Sequence, residues 1–250
     1  MVDSQKLTPE ERQRYEWQMW SPQLGESGQR SLKEKSVFIS RIGGVGGTVA
    51  LQLAAAGMGR LILAHGGVVR LDDLNRQILM TTAGIGQPRV NSAREQLQAL
   101  NPNVELKTID ENINEQNVAG LVEDCDIIVS AAPLFTERLL LNREAVRQRK
   151  PLVDCSMYDF EGRLLTVIPG ETACLACIYP ELPPHWKREF PVLGAVASTI
   201  GSLAALEVIK LAANLNGTLA GQLLLCNLNE MQFRKIAIPR RSDCSVCSTG

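Results

Sequence analysis

The sequence carries no charge excess of either sign: 26 basic and 27 acidic residues leave a net charge of −1. There is no strong field to draw in nucleic acid or an anionic membrane surface. No apolar run approaches the roughly 18 residues of a membrane span. The best candidate, Val192 to Ile209, is interrupted by Gly194, Ser198, Gly201 and Glu207. The first fifteen residues are polar and contain no apolar signal core. Internal repeats and low-complexity tracts are also lacking. The seven cysteines are an odd number without a secretory leader, which argues against a disulfide framework. These absences describe a soluble cytoplasmic protein with neither nucleic acid nor membrane as partner.

With 250 residues, 45% of them apolar and 21% charged, the chain has ordinary globular composition. It is long enough to bury a core without staples and fits one large domain at roughly 100–200 residues per domain. Thr8 can cap a helix that has Pro9 at its first position and Glu11 three residues on. Strands are expected at Ser36 to Ser40, Arg60 to Ala64, Val104 to Ile109, Asp126 to Ser130 and Pro151 to Asp154. Helices are expected at Thr48 to Ala56, Gln87 to Leu100, Glu115 to Glu123 and Thr136 to Arg149. Such alternation predicts an α/β fold, Rossmann-like and doubly wound, with a mainly parallel sheet. Beyond residue 155 the pattern changes. Gly162 to Ile168 alternates as an antiparallel strand, Ala195 to Ala213 is a small-residue helix, and Gly221 to Cys226 with Gln232 to Ile238 forms a hairpin. The sequence divides into a helical arm (1–35), a half of alternating strands and helices (36–155) and a half with the antiparallel pattern and both CxxC pairs (156–250).

Two motifs carry chemistry. Gly43-Gly-Val-Gly46 follows a strand and opens a helix. Glycine lets the backbone approach phosphate, and a helix N-terminus offers free N–H groups and a positive dipole end. The usual first glycine of such a turn is Arg41, and no acid follows the second strand, where Ala64-His-Gly-Gly-Val68 stands. A tight turn that only packs helix on sheet is the alternative. Cys174-Leu-Ala-Cys177 and Cys244-Ser-Val-Cys247 form two CxxC pairs. Four thiolates in two knuckles suit a closed, structural tetrahedral zinc that pins the tail to a loop; four reduced thiols are the alternative. Cys125, Cys155 and Cys226 stand alone in apolar surroundings.

The chain resembles the ThiF/MoeB/HesA family, relatives of the ubiquitin-activating enzymes. The resemblance rests on Arg14-Tyr15, the glycine turn, Leu74-Asn-Arg-Gln77, Gly86-Gln-Pro-Arg-Val90, Asn101-Pro102, both CxxC pairs and Ile200 to Lys210. It implies ATP with Mg2+, adenylylation of the C-terminal glycine of a small ubiquitin-like sulfur carrier with a Gly-Gly tail, and a dimer. Zn2+ would be structural and far from the chemistry. Arg76 and Arg89 would be catalytic, and Gly43, Gly44, Gly46, Arg41, Arg76, Gln77 and Arg89 would hold the nucleotide.

Against that pattern, several positions depart. Trp17 stands where an arginine would be given to the partner subunit, and Arg41 replaces a glycine. His65 and Gly67 fall on acidic positions, Asp72-Asp73 on Ser-Asn, Arg89 on lysine and Pro133 on the magnesium aspartate. No cysteine lies between Cys177 and Cys226, so that stretch offers no thioester nucleophile. His185 beside Trp186 reads as surface, His65 as a turn residue, and Trp17 and Trp20 as packing or dimer contacts. Two functions follow. One is an adenylyltransferase with a rearranged ATP site. The other is a pseudoenzyme that binds a carrier or pairs, as a homodimer or a heterodimer, with an intact relative. An enzyme for another nucleotide or a small carboxylic acid is a third reading.

Overall fold

The computed structural model describes residues 6–183 and 189–248. Its N-terminal arm is two helices, α1 (Pro9–Met19) and α2 (Gly25–Glu34). The expected capping box is formed: the Glu11 amide donates to Thr8 Oγ1 at 3.1 Å and the Thr8 amide to Glu11 Oε2 at 2.7 Å. Next come β1 (Ser36–Ser40), α3 (Gly44–Ala55), β2 (Arg60–Ala64), α4 (Arg89–Leu100), β3 (Glu105–Ile109), α5 (Val118–Leu121), β4 (Ile127–Ser130) and α6 (Phe135–Arg147). The chain continues through β5 (Leu152–Tyr158), β6 (Glu161–Val167), α7 (Leu175–Ile178), α8 (Gly194–Ala212), β7 (Gln222–Asn227) and β8 (Gln232–Ala237).

One eight-stranded sheet runs β3-β2-β1-β4-β5-β6-β7-β8. Its first five strands are parallel and the last three antiparallel. The fold is therefore the expected mixed α/β one, mainly parallel with an antiparallel C-terminal extension. Alternation sorts the core. Val37, Ile39, Leu61 and Leu63 pack on one face with α3, α4 and α8, while Phe38, Ile62 and Ile128 pack on the other with α6 and the cysteine loop.

Several boundaries differ from expectation for local reasons. The α5 helix shrinks to one turn because Asn114 Oδ1 accepts from the amides of Gln116 and Asn117, at 2.9 and 3.0 Å. Such side-chain turns compete with helix at Glu115 to Asn117. The α4 helix begins at Arg89, after Pro88 rather than before it, as proline disfavours helix in the preceding residue. The β5 strand runs on to Tyr158 because β6 pairs with its whole length.

The α8 helix needs a fuller correction. It runs unbroken through Ser198, Gly201 and Glu207 and, by length and a mean hydropathy of 1.5, could cross a membrane. Half of it is buried inside the protein. The expected interruptions are contacts: a Cβ on Gly201 would meet Val45 O at 2.6 Å, and Glu207 Oε2 accepts from Thr166 Oγ1 and the Leu219 amide.

Candidate functional site

The strand order reverses between β1 and β4, which pair in parallel to their last residues, Ser40 and Ser130. In open α/β sheets the crevice at such a point is where ligands bind. A cavity of about 530 Å³ opens at this place. Arg41, Gly43 and Gly44 line it from the turn after β1, Ala131 to Pro133 from the end of β4, and Cys155 to Met157 from β5. The segment between β2 and α4 adds His65, Asp72, Asp73, Arg76, Gln77 and Arg89. The cavity size fits a small molecule.

The turn is built tightly. The Gly43 amide bonds back to Arg41 O at 2.6 Å, and α3 starts at Gly44. The first-turn amides of a helix have no acceptor within it and so face the crevice with the positive dipole end. Gly43 and Gly44 line the cavity, but Gly46 lies outside its lining. The constraint on Gly46 is packing: a Cβ there would come within 2.5 Å of Arg41 O.

Asp73 organises the opposite wall. It is 3% exposed and ends a short 3-10 turn, Leu71–Asp73. Its Oδ2 accepts from Arg89 Nη2 at 2.7 Å, Arg89 Nε at 3.1 Å and the Arg70 amide at 3.0 Å. Its Oδ1 accepts from Gln77 Nε2 and faces Arg76 Nη2 at 3.7 Å. Three residues singled out by sequence, Arg76, Gln77 and Arg89, are thus brought together by one that was not assigned this role. Gly67 makes room for Arg89: its φ is +98°, and a Cβ would sit 2.8 Å from Arg89 Nη1. Arg76 is less enclosed, donating to Asp72 O and Asn75 Oδ1.

Arg41 takes the left-handed region at φ 57°. Its guanidinium is held in a two-pronged pair with Glu137 of α6, through Nε at 2.8 Å and through Nη2. Sequence reasoning missed Glu137 because ninety-six positions separate the partners. A second buried fork joins Arg138 to Asp154, with Nε to Oδ1 at 3.0 Å. It borders a smaller cavity of about 260 Å³, which shares Ser156 and Met157 with the first.

Magnesium needs oxygen ligands, commonly one or two carboxylates beside substrate phosphates. The residues here do not supply them. Pro133 offers no carboxylate, and both Asp73 oxygens are taken by donors. Asp72 is exposed and paired with Arg70 at 3.0 Å. That leaves Glu189, exposed at the rim, among the described lining carboxylates. Neither Asp73 oxygen is therefore open to a metal.

The four cysteines of the CxxC pairs do converge. Their sulfurs all lie within 4.8 Å of one another, and all four are buried. Cys174 Sγ is 3.7 Å from Cys244 Sγ, and Cys177 Sγ is 3.5 Å from Cys247 Sγ. Thiolates at about 2.3 Å around a tetrahedral ion stand about 3.8 Å apart. The cluster could therefore hold a metal ion. Asn142 Oδ1 accepts from the Leu175 amide at 2.8 Å and fixes one knuckle. Burial raises the Cys244 thiol, but hydrogen bonds from the Cys247 and Val246 amides and the nearby thiols outweigh it and bring it to about 7. None of the four lines the cavity.

The remaining candidates separate. Burial pushes the thiols of Cys125 and Cys226 up to about 11, and that of Cys155 up as well, as expected of core cysteines. Cys155 nevertheless reaches the cavity wall. His65 is buried on that wall rather than standing on an open turn. Trp17 and Trp20 are not packed into the fold. They are 79% and 61% exposed and lie against each other at 5.0 Å. His185 and Trp186 fall outside the described residues.

Comparison with known proteins agrees with this architecture. The chain is 49% identical over 241 residues to "Protein HesA, heterocyst" of Trichormus variabilis, covering 96% of this chain and 90% of that one. It is 36% identical over 251 residues to a sulfur carrier protein adenylyltransferase of Thermus thermophilus, covering 97% and 93%. A crystal structure of E. coli MccB superposes with a TM-score of 0.85 at 22% identity, covering 98% of this chain and 74% of that one. The ThiF family model matches residues 15–246. The chain belongs to the ThiF family.

Proposed function

We propose that this chain binds a nucleoside triphosphate in the cavity at the β1–β4 switch point and adenylylates the C-terminal carboxylate of a small ubiquitin-like sulfur carrier. The observation that carries this reading is the Asp73-centred set, in which Arg76, Gln77 and Arg89 face the N-terminus of α3 across a cavity of about 530 Å³. A carboxylate oxygen attacks the α-phosphorus, the bond from that phosphorus to the bridging oxygen of the β-phosphate breaks, and pyrophosphate leaves. The product is an acyl adenylate. Attacking group and triphosphate are both anionic, so the chemistry depends on fixed positive groups. Arg76 and Arg89 fill that role, with Gln77 beside them, and the Gly43 and Gly44 turn at the N-terminus of α3 seats the phosphates. The smaller cavity beside Ser156 and Met157 suits the extended Gly-Gly tail.

The four-cysteine cluster takes a structural Zn2+, which ties the tail after β8 to the loop before α7. The division into an arm (1–35), a nucleotide-binding half (36–155) and a carrier- and metal-binding half (156–250) follows from these roles. The exposed Trp17 and Trp20 fit the arm to a subunit contact in a dimer.

The test is ATP-dependent pyrophosphate exchange with a carrier ending in Gly-Gly. Exchange above background is the expected result, and none with any co-encoded carrier overturns the reading. The second reading, an inactive scaffold paired with an intact relative, is favoured by the loss of the acid at Pro133. Exchange by the purified chain alone would remove it.

A further inference from the structure

We propose that the triphosphate is held by the remaining N–H donors of a fixed arginine, Arg41, and is bound without a divalent cation. The inference rests on the nucleotide reading above and concerns how the charge of that nucleotide is met. Arg41 stands in the phosphate turn, two residues before Gly43, and its side chain is 10% exposed. A non-glycine residue at φ 57° is strained. Such strain persists where the surroundings impose it and concentrates at ligand sites. Here the Arg41 amide donates to Ala64 O at 2.8 Å, its carbonyl accepts from the Gly43 amide at 2.6 Å, and Glu137 holds two edges of the guanidinium. An arginine has five N–H donors, so this pairing leaves others for a ligand on the cavity side.

The charges around the cavity point the same way. Four guanidinium groups line it, those of Arg41, Arg70, Arg76 and Arg89. The buried carboxylates at the site are each committed to an arginine: Glu137 to Arg41 and Asp73 to Arg89. Asp72 is held by Arg70, and Glu189 stands exposed at the rim. A lining with arginine N–H donors and no open pair of carboxylates offers partners for phosphate oxygens and none for magnesium.

The experiment is calorimetric titration of the full chain with ATP, once in excess EDTA and once with excess magnesium. The expected result is a dissociation constant in EDTA equal to or below that with magnesium. Binding more than about tenfold tighter with magnesium overturns the inference and leaves the nucleotide reading standing. No binding under either condition overturns both. A second titration uses Arg41→Gly combined with Glu137→Gln, which relieves the backbone strain and leaves no buried unpaired carboxylate. Loss of one charge-assisted bond predicts ATP binding in EDTA weakened roughly tenfold to a hundredfold. An unchanged constant in a variant with a native melting curve overturns the assignment to Arg41.

Discussion

Asp73→Asn is the most informative single change. The substitution keeps the shape of the side chain but turns one accepting oxygen into a donor and removes the charge. Asp73 is 3% exposed, and the Arg89 side chain is 9% exposed. The variant therefore leaves a buried guanidinium facing an amide, with one face of that amide donating against Gln77 or Arg89. Breaking one partner of a buried pair costs about 3–5 kcal/mol. The contact with Arg76, at 3.7 Å and 28% exposed, adds little. For a chain of this size about 2–4 °C accompanies each kcal/mol, so the melting temperature should fall by roughly 6–20 °C. Scanning calorimetry on the parent and variant gives the number. The double variant Asp73→Asn with Arg89→Met should recover much of the loss, because the stranded cation is gone. A single variant melting within about 2 °C of the parent would refute the claim that Asp73 organises this wall.

Three further outcomes are expected. Arg76→Ala should lower carrier-dependent pyrophosphate exchange by roughly 10²–10³-fold, the scale for losing one charge-stabilising group. Because the side chain is 28% exposed, its melting point should stay near that of the parent, and a large drop would make Arg76 structural instead. Cys244→Ser should abolish stoichiometric zinc, measured by elemental analysis, and lower the melting point; an unchanged melting curve would refute the structural role of the metal. Burial pushes the Glu11 carboxyl upward, yet Lys33 Nζ at 2.8 Å and the Thr8 amide outweigh it and hold it below its ordinary value. A lowered folded-state value means stability present above the unfolded value, about 4.3, and lost as pH falls through the folded one. Glu11→Gln should therefore flatten the acid limb of the stability profile below about pH 5, and an identical limb would count against the pairing.

Local patterning made most of the fold legible. The strands of the parallel half announced themselves through short apolar runs, and the Arg60 to Ala64 strand lies where expected. The Thr8 capping box, the small-residue helix α8 and the terminal hairpin follow from cues only a few residues apart. The α2 helix (Gly25–Glu34) was not expected as a separate element. Its N-terminus has no side-chain cap, so the sequence carries no start signal for it. The α5 helix was overextended because Asn114 and Asn117 bind their neighbours' amides.

Legible in the sequence alone were a glycine turn after a strand and two CxxC knuckles, with the Arg76, Gln77 and Arg89 positions marked by the family resemblance. The sequence also determined that Pro133 could not ligate magnesium. Only the tertiary structure decided which charges meet. The pairing of Arg41 with Glu137 and that of Arg89 with Asp73 join separate segments of the chain. No periodicity or local spacing records such pairs, because side chains at those separations are brought together by the sheet order and not by any helix or strand repeat. For the same reason, only the folded chain shows that Gly67 clears the space Arg89 fills, whereas the shared cluster of the two CxxC pairs was already expected from their spacing.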